Sequence, residues 1–215
     1  DVSFQLHALE TMAVIGAQKA GQEQLLQCLM GIQQGEIQGH VELFSENKIG
    51  YVSGAYPCAE ELTVFENLSL ALKLMGVHSW SLLGEEVEEG VRTVDLWSEV
   101  KLQLHEKMQK LNEYQKIRLN LARTLLLKPS VLLLEHPCEG LDPLQNIHYE
   151  SLIEKIKSKT SIIWVTHDLE QAARVSESIL FLKDGKMVEF DSCEKVFTMP
   201  AQAETESFIT RRSHG

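Results

Sequence analysis

The chain has 215 residues, 44% hydrophobic and 24% charged, which is the balance of an ordinary globular protein large enough to bury a core. Its formal net charge of -11 argues against a nucleic-acid partner, which would call for a basic stripe. The four cysteines (Cys28, Cys58, Cys138, Cys193) form no CxxC pair or metal-ligand spacing and read as reduced thiols, no signal peptide is expected at the start, and apolar runs such as "VLLL" and "ILFL" fall far short of the roughly 20 residues of a membrane span.

Val2–Leu6 alternates weakly, as an edge strand would, and Met12–Ile15 is a short, fully apolar strand. The turn Gly16–Gly21 follows, then a helix to about Met30. "GEIQGHVELF" alternates like a strand, and "NKIGYVSG" reads as another, ending at Gly54. From Leu62 to about Leu127 the period is mostly helical, with Gly76, Gly84 and Gly90 as expected breaks. Ser130–Leu134 is a buried strand, "IHYESLIEKIKSK" an amphipathic helix, "SIIWVT" a second buried strand and "LEQAARVSE" a helix. "SILFLKDGKMVEF" is a hairpin turning at Asp184-Gly185, and a last helix begins near Cys193. Buried strands alternating with helices, interrupted by a helical block, predict one α/β domain over 1–215 with a helical subdomain inserted at about 56–111.

Several segments carry chemistry. "GAQKAGQEQLLQCL" sets two glycines five residues apart after an apolar strand, as in a phosphate-cradling loop. "PSVLLLEHPCEGLDP", "SIIWVTHDLEQA", "IGYVSGAYPCAEELTVFENL" and "KLNEYQKIRLNLARTLLLKP" follow in that family-like context. In order and wording these resemble the Walker B segment with its D-loop, the switch-histidine segment, the Q-loop and the signature helix of the ATP-binding-cassette transporter ATPases. "DLWSEVKLQLHEKM", "QAARVSESILFL", "GKMVEF" and "ETESFITRRSHG" are most similar to the phosphate-import branch. The resemblance spans nearly the whole chain. It implies a P-loop NTPase-type core, ATP and magnesium as cofactors, a transmembrane permease as partner, pairing as a homodimer or with another such ATPase, and a cytoplasmic place at the inner face of the cell membrane.

The departures from the family pattern concentrate on atoms that would touch phosphate, magnesium or water. In the loop, Gly16 and Gly21 keep the geometry and Lys19 reads as solvated. Gln22 stands where the phosphate-binding Lys belongs, Glu23 where the magnesium-holding hydroxyl belongs, and Gln24 follows. A carboxylate about 4 Å from a phosphate charge costs roughly 4 kcal/mol at an effective dielectric near 20, about a thousandfold in affinity. The helix N-terminus still favours a negative partner, so Glu23 itself is expected to fill the anion site. Gly54 corresponds to the Q-loop glutamine and has no ligand atom.

At the signature, Asn112 and Gln115 keep a capping box, while Glu113 adds charge and Tyr114 bulk where small residues approach phosphate. By resemblance Glu135, His136 and His167 stand at the catalytic positions. Glu135 replaces the magnesium-orienting aspartate, His136 replaces the water-polarising glutamate, and His167 is the retained switch histidine. Asp142 keeps the D-loop dimer contact and reads equally as a helix N-cap. Tyr56 and Phe65 are candidate apolar anchors for the permease, with a core role as the alternative for Phe65.

Phosphoryl transfer depends on positioning and charge stabilisation, so these losses together imply a noncatalytic structural or regulatory subunit. The alternative is an active, divergent ATPase that energises import of phosphate or a similar anion. A third reading is a metal-dependent hydrolase rebuilt around Glu135, His136 and His167.

Overall fold

The computed structural model describes residues 2–33, 38–42, 48–54 and 59–212, the side chains of 211 and 212 excepted. The chain divides into two compact units, one of residues 1–49, 130–136 and 157–215, the other of 50–129 and 137–156. The helical block read at 56–111 falls in the second unit, which also takes in the two helices that follow it in the sequence.

The first unit is built on a sheet of β1 (Thr11–Gly16), β3 (Val131–Glu135), β4 (Ser161–Val165), β5 (Ser178–Lys183) and β6 (Lys186–Ser192), in the order β3-β4-β1-β5-β6. The three apolar runs read as buried strands lie side by side and parallel, with β4 between β3 and β1. Thr11 aligns with Ile162, Val14 with Val165, and Glu135 with Val165. β5 runs parallel to β1, and β6 returns antiparallel through Asp184 and Gly185, both at positive φ, as a tight hairpin turn requires.

Alternation along these strands makes two apolar layers. Met12, Val14, Leu133, Ile163, Val165, Leu180 and Leu182 face one side with Leu26 of α1 (Gln22–Met30). Ala13, Ile15, Ile179 and Phe181 face the other, with Ala172 of α7 (Leu169–Val175) and Val196 of α8 (Cys193–Thr198). Both faces are covered, which is why the strands read as unbroken apolar runs. α9 (Ala203–Arg212) closes the unit, with Phe208 stacked on Phe181 at 4.7 Å.

Three expectations fail in this unit. Val2–Leu6 is not a strand. Its alternation is real in burial, and Val2, Phe4 and Leu6 pack on the core, but no ladder hydrogen bonds form. Of "GEIQGHVELF", residues 38–42 are not strand and the rest lies outside the described residues. The single terminal helix is in fact α8 and α9, parted by Pro200, which lacks the N–H to continue a helix.

The second unit begins in β2 (Ile49–Ser53) and holds α2 (Val64–Leu74), α3 (Trp80–Thr93), α4 (Trp97–Val100), α5 (Glu113–Leu125) and α6 (Pro143–Ile156). Thr63 and Glu66 form a reciprocal capping box that starts α2, and Gly76 at φ 90° follows its end. Gly84 and Gly90 do not break α3. Gly90 is there for packing, because a Cβ on it would lie 2.7 Å from Cδ2 of Leu126. Phe65 is buried and stacks on Trp80 at 5.6 Å, so it is a core ring, and Tyr56 lies outside the described residues.

Candidate functional site

In-register parallel strands bring their carboxyl ends to one edge, the place where open α/β sheets bind ligands. Gly16 ends β1, Glu135 ends β3, and His136 and His167 follow β3 and β4 at that edge. Only glycine fits at 16, because a Cβ there would sit 2.6 Å from the Leu182 carbonyl and 2.8 Å from Nε2 of Gln22. The loop then turns through Lys19 at φ 63° and Gly21 at φ 111°, and Gly21 is the N-cap of α1. Lys19 is exposed, as expected for a solvated side chain.

Gln22 is the loop's occupant. It is only 4% exposed, and its Nε2 donates to the Ala17 carbonyl at 3.1 Å. Glu23, expected to fill the anion site, does not. It is exposed and accepts a hydrogen bond from Gln27 one turn along the helix. On a helix, consecutive residues point some 100° apart, so when Gln22 turns into the loop Glu23 must turn out. Gln24 is exposed beside it.

His167 Nδ1 lies 3.2 Å from the Gly16 carbonyl. A carbonyl only accepts, so Nδ1 carries the proton. The loop after β4 is fixed by its own hydrogen bonds. Thr166 donates to Gln171 and accepts from the Asp168 N–H, and Asp168 caps α7 through the Gln171 N–H. His136 adopts φ 44°, its N–H donates to the Val165 carbonyl, and its ring lies 4.2 Å from that of His167, tilted 30°. Among the described residues no group of three or more His, Cys, Asp and Glu is placed to hold a metal ion, and Glu135, His136 and His167 do not form one.

The remaining candidates lie in the second unit. Gly54 follows β2. Asn112 Oδ1 accepts from the Gln115 N–H and Gln115 Oε1 accepts from the Asn112 N–H, so the capping box of α5 is formed. Glu113 is exposed and pairs with Lys116 at 3.0 Å. Asp142 is an N-cap, with its Oδ1 accepting from the Gln145 N–H at 2.9 Å and Pro143 opening α6. The Tyr114 hydroxyl meets His148 of α6. Sequence reading missed that contact and the His136–His167 stack, since partners 34 and 31 positions apart leave no local signal.

Parallel strands whose carboxyl edge carries a glycine loop opening onto a helix define a P-loop-type nucleotide-binding fold. The family model described as ABC transporter matches residues 1–139. Phosphate import ATP-binding protein PstB 2 of Aliivibrio fischeri is 34% identical over 220 residues, covering 94% of this chain and 80% of the relative. Phosphate import ATP-binding protein PstB 1 of Vibrio cholerae is 32% identical over 229 residues, covering 99% and 84%. In structure, an inward-facing ABC transporter of the metal-chelate type matches with a TM-score of 0.81 at 18% identity, covering 98% of this chain and 82% of that one. A dimeric ATP-binding cassette in a post-hydrolysis state with ADP and Pi matches with a TM-score of 0.76 at 21% identity, covering 90% and 89%. The chain belongs to the ABC transporter family, as an ATP-binding-type subunit related to the phosphate import proteins. Among the described residues no helix is long and apolar enough to cross a membrane.

Proposed function

We propose that this chain is a phosphate-import-like ABC subunit that has given up hydrolysis and acts as a structural or regulatory component. It works beside a transmembrane permease at the inner face of the cell membrane, as a homodimer or with another ABC ATPase. The observation that carries this reading is the buried Gln22 carboxamide, bonded to Ala17 inside the loop. A neutral amide there gives a phosphate no counter-charge, and an exposed Glu23 at the mouth adds repulsion. His136 in place of a carboxylate lacks the fixed negative charge that polarises water. The other reading, a divergent working ATPase, draws on the phosphate-import relatives.

Calorimetry with magnesium-ATP separates the two. The noncatalytic reading expects no binding in the micromolar range and no phosphate release. Micromolar binding with turnover that disappears in His136→Ala would make the chain an enzyme.

A further inference from the structure

The altered residues do more than fail to hold nucleotide, because they make contacts of their own. Two consecutive carbonyls at the start of the loop each receive a side-chain donor. Gly16 is met by His167 Nδ1 from the end of β4, and Ala17 by Gln22 Nε2 from α1. Ala17 also accepts the Ala20 N–H at 3.1 Å, so its carbonyl ties the loop across itself. His136, from the end of β3, lays its ring against His167. It holds a left-handed backbone conformation, φ 44°, that turns the chain out of β3. The far end of the loop is pinned independently. The Gly185 N–H donates to the Ala20 carbonyl at 2.9 Å, and Gly185 Cα would lie 3.1 Å from a Cβ on Gly21.

We propose that Gln22, His136 and His167 form a clamp that keeps the loop wrapped without help from a nucleotide. The inference rests on the noncatalytic reading and adds a regulatory consequence: the loop is fixed in one shape whatever the nucleotide supply. In a protein that binds its ligand only when folded, the ligand adds stability by mass action. Here side chains from two strand ends and a helix supply that constraint from within the chain. A turn built merely to join β1 to α1 has no use for a buried carboxamide and a pair of stacked histidines that come from segments more than a hundred residues further along the chain.

The test is hydrogen exchange of the full chain, read by NMR at the Ala20 amide, with the Ile163 amide in β4 as the control for global opening. The nucleotide-free wild type should protect Ala20. Gln22→Met, which keeps size and removes the donor, and His136→Ala, which removes the ring, should each speed Ala20 exchange about tenfold while Ile163 stays slow. His136→Phe keeps a ring in the stack and should exchange like wild type. Unchanged Ala20 exchange in both Gln22→Met and His136→Ala, or a rise shared equally by Ile163, overturns the clamp and leaves the noncatalytic reading intact. Protection of Ala20 that increases on adding magnesium-ATP to the wild type overturns the noncatalytic reading, and with it the clamp's independence of nucleotide.

Discussion

The hydroxyl of Tyr114, on the first turn of α5, lies 2.6 Å from Nδ1 of His148 on α6. The other ring nitrogen of His148 faces Asp95 at 3.7 Å, and Asp95 is held by Lys155 at 2.7 Å. A neutral ring with its proton on Nε2 accepts from the phenol and turns its N–H toward the carboxylate. The residue that adds bulk at the signature position thus ties two helices of the second unit together.

Burial pushes the Tyr114 phenol up to about 12, with Arg118 acting against it. A folded value above the unfolded one means that its contribution is complete below about pH 10 and lost as pH rises toward 12. Tyr114→Phe should cost about 1 kcal/mol near neutral pH by removing the hydrogen bond. The gap between variant and wild type should then narrow at pH 11, because phenylalanine cannot ionise. Denaturant unfolding at both pH values checks this, and a gap that widens at pH 11 contradicts it.

Arg118 is 3% exposed. Its guanidinium lies 4.5 Å from the Tyr114 ring centroid, donates to the Asp95 carbonyl at 3.0 Å, and pairs with Glu99 at 2.7 Å. Removing only the carboxylate leaves a buried cation without its partner. Glu99→Ala should therefore destabilise by about 3 kcal/mol, the low end for a broken buried pair, since Glu99 keeps some solvent contact. Glu99→Ala combined with Arg118→Met removes both charges and should recover part of that loss. A double variant less stable than Glu99→Ala alone would reject the desolvation argument.

The two α3 glycines should respond with opposite signs. Gly84 has nothing within 4 Å of where a Cβ would stand, so Gly84→Ala should stabilise by about 0.5–1 kcal/mol through helix propensity. Gly90→Ala places a methyl 2.7 Å from Leu126, itself enclosed, and overpacking costs about 1–3 kcal/mol. That outweighs the propensity gain and leaves a net loss. Thermal unfolding of the two variants decides the point, and a stabilised Gly90→Ala would mean that Leu126 moves aside freely.

Features encoded within a few residues were legible in the sequence. The apolar runs of β1, β3 and β4 name buried strands, and the Asn112/Gln115 and Asp142 caps can be read directly because a capping box is written within one helical turn. Features decided by tertiary contact were not. Gly90 looks like a helix break until Leu126 is seen against it. Val2–Leu6 alternates as a strand does, yet alternation records which side is buried and not whether a neighbour offers a ladder. The candidate site divides in the same way. Its positions along the chain were evident, but whether Gln22 or Glu23 turns into the loop depends on the direction in which α1 leaves Gly21, and composition says nothing of that.

The same choice between Gln22 and Glu23 sets the last prediction. Gly16 and Gly21 permit the wrap that phosphate requires, and the start of α1 offers N–H groups to an anion. A Gln22→Lys, Glu23→Ser double variant would put an ammonium where the carboxamide now reaches Ala17 and remove the exposed carboxylate. The charge argument of roughly 4 kcal/mol, an upper figure for an exposed group, predicts a gain of up to about a thousandfold in magnesium-ATP affinity. Binding should therefore become measurable by calorimetry in the double variant. Hydrolysis should not return, since Gly54 offers no ligand atom, Glu113 and Tyr114 remain at the signature, and His136 stays stacked on His167 with no carboxylate in its place. Gln22→Lys alone should recover less than the pair, because Glu23 would compete with phosphate for the new charge. Equal affinities for the single and double variants would show that solvent screens Glu23 completely, and no binding by either would show that the loop is held shut by more than its charges.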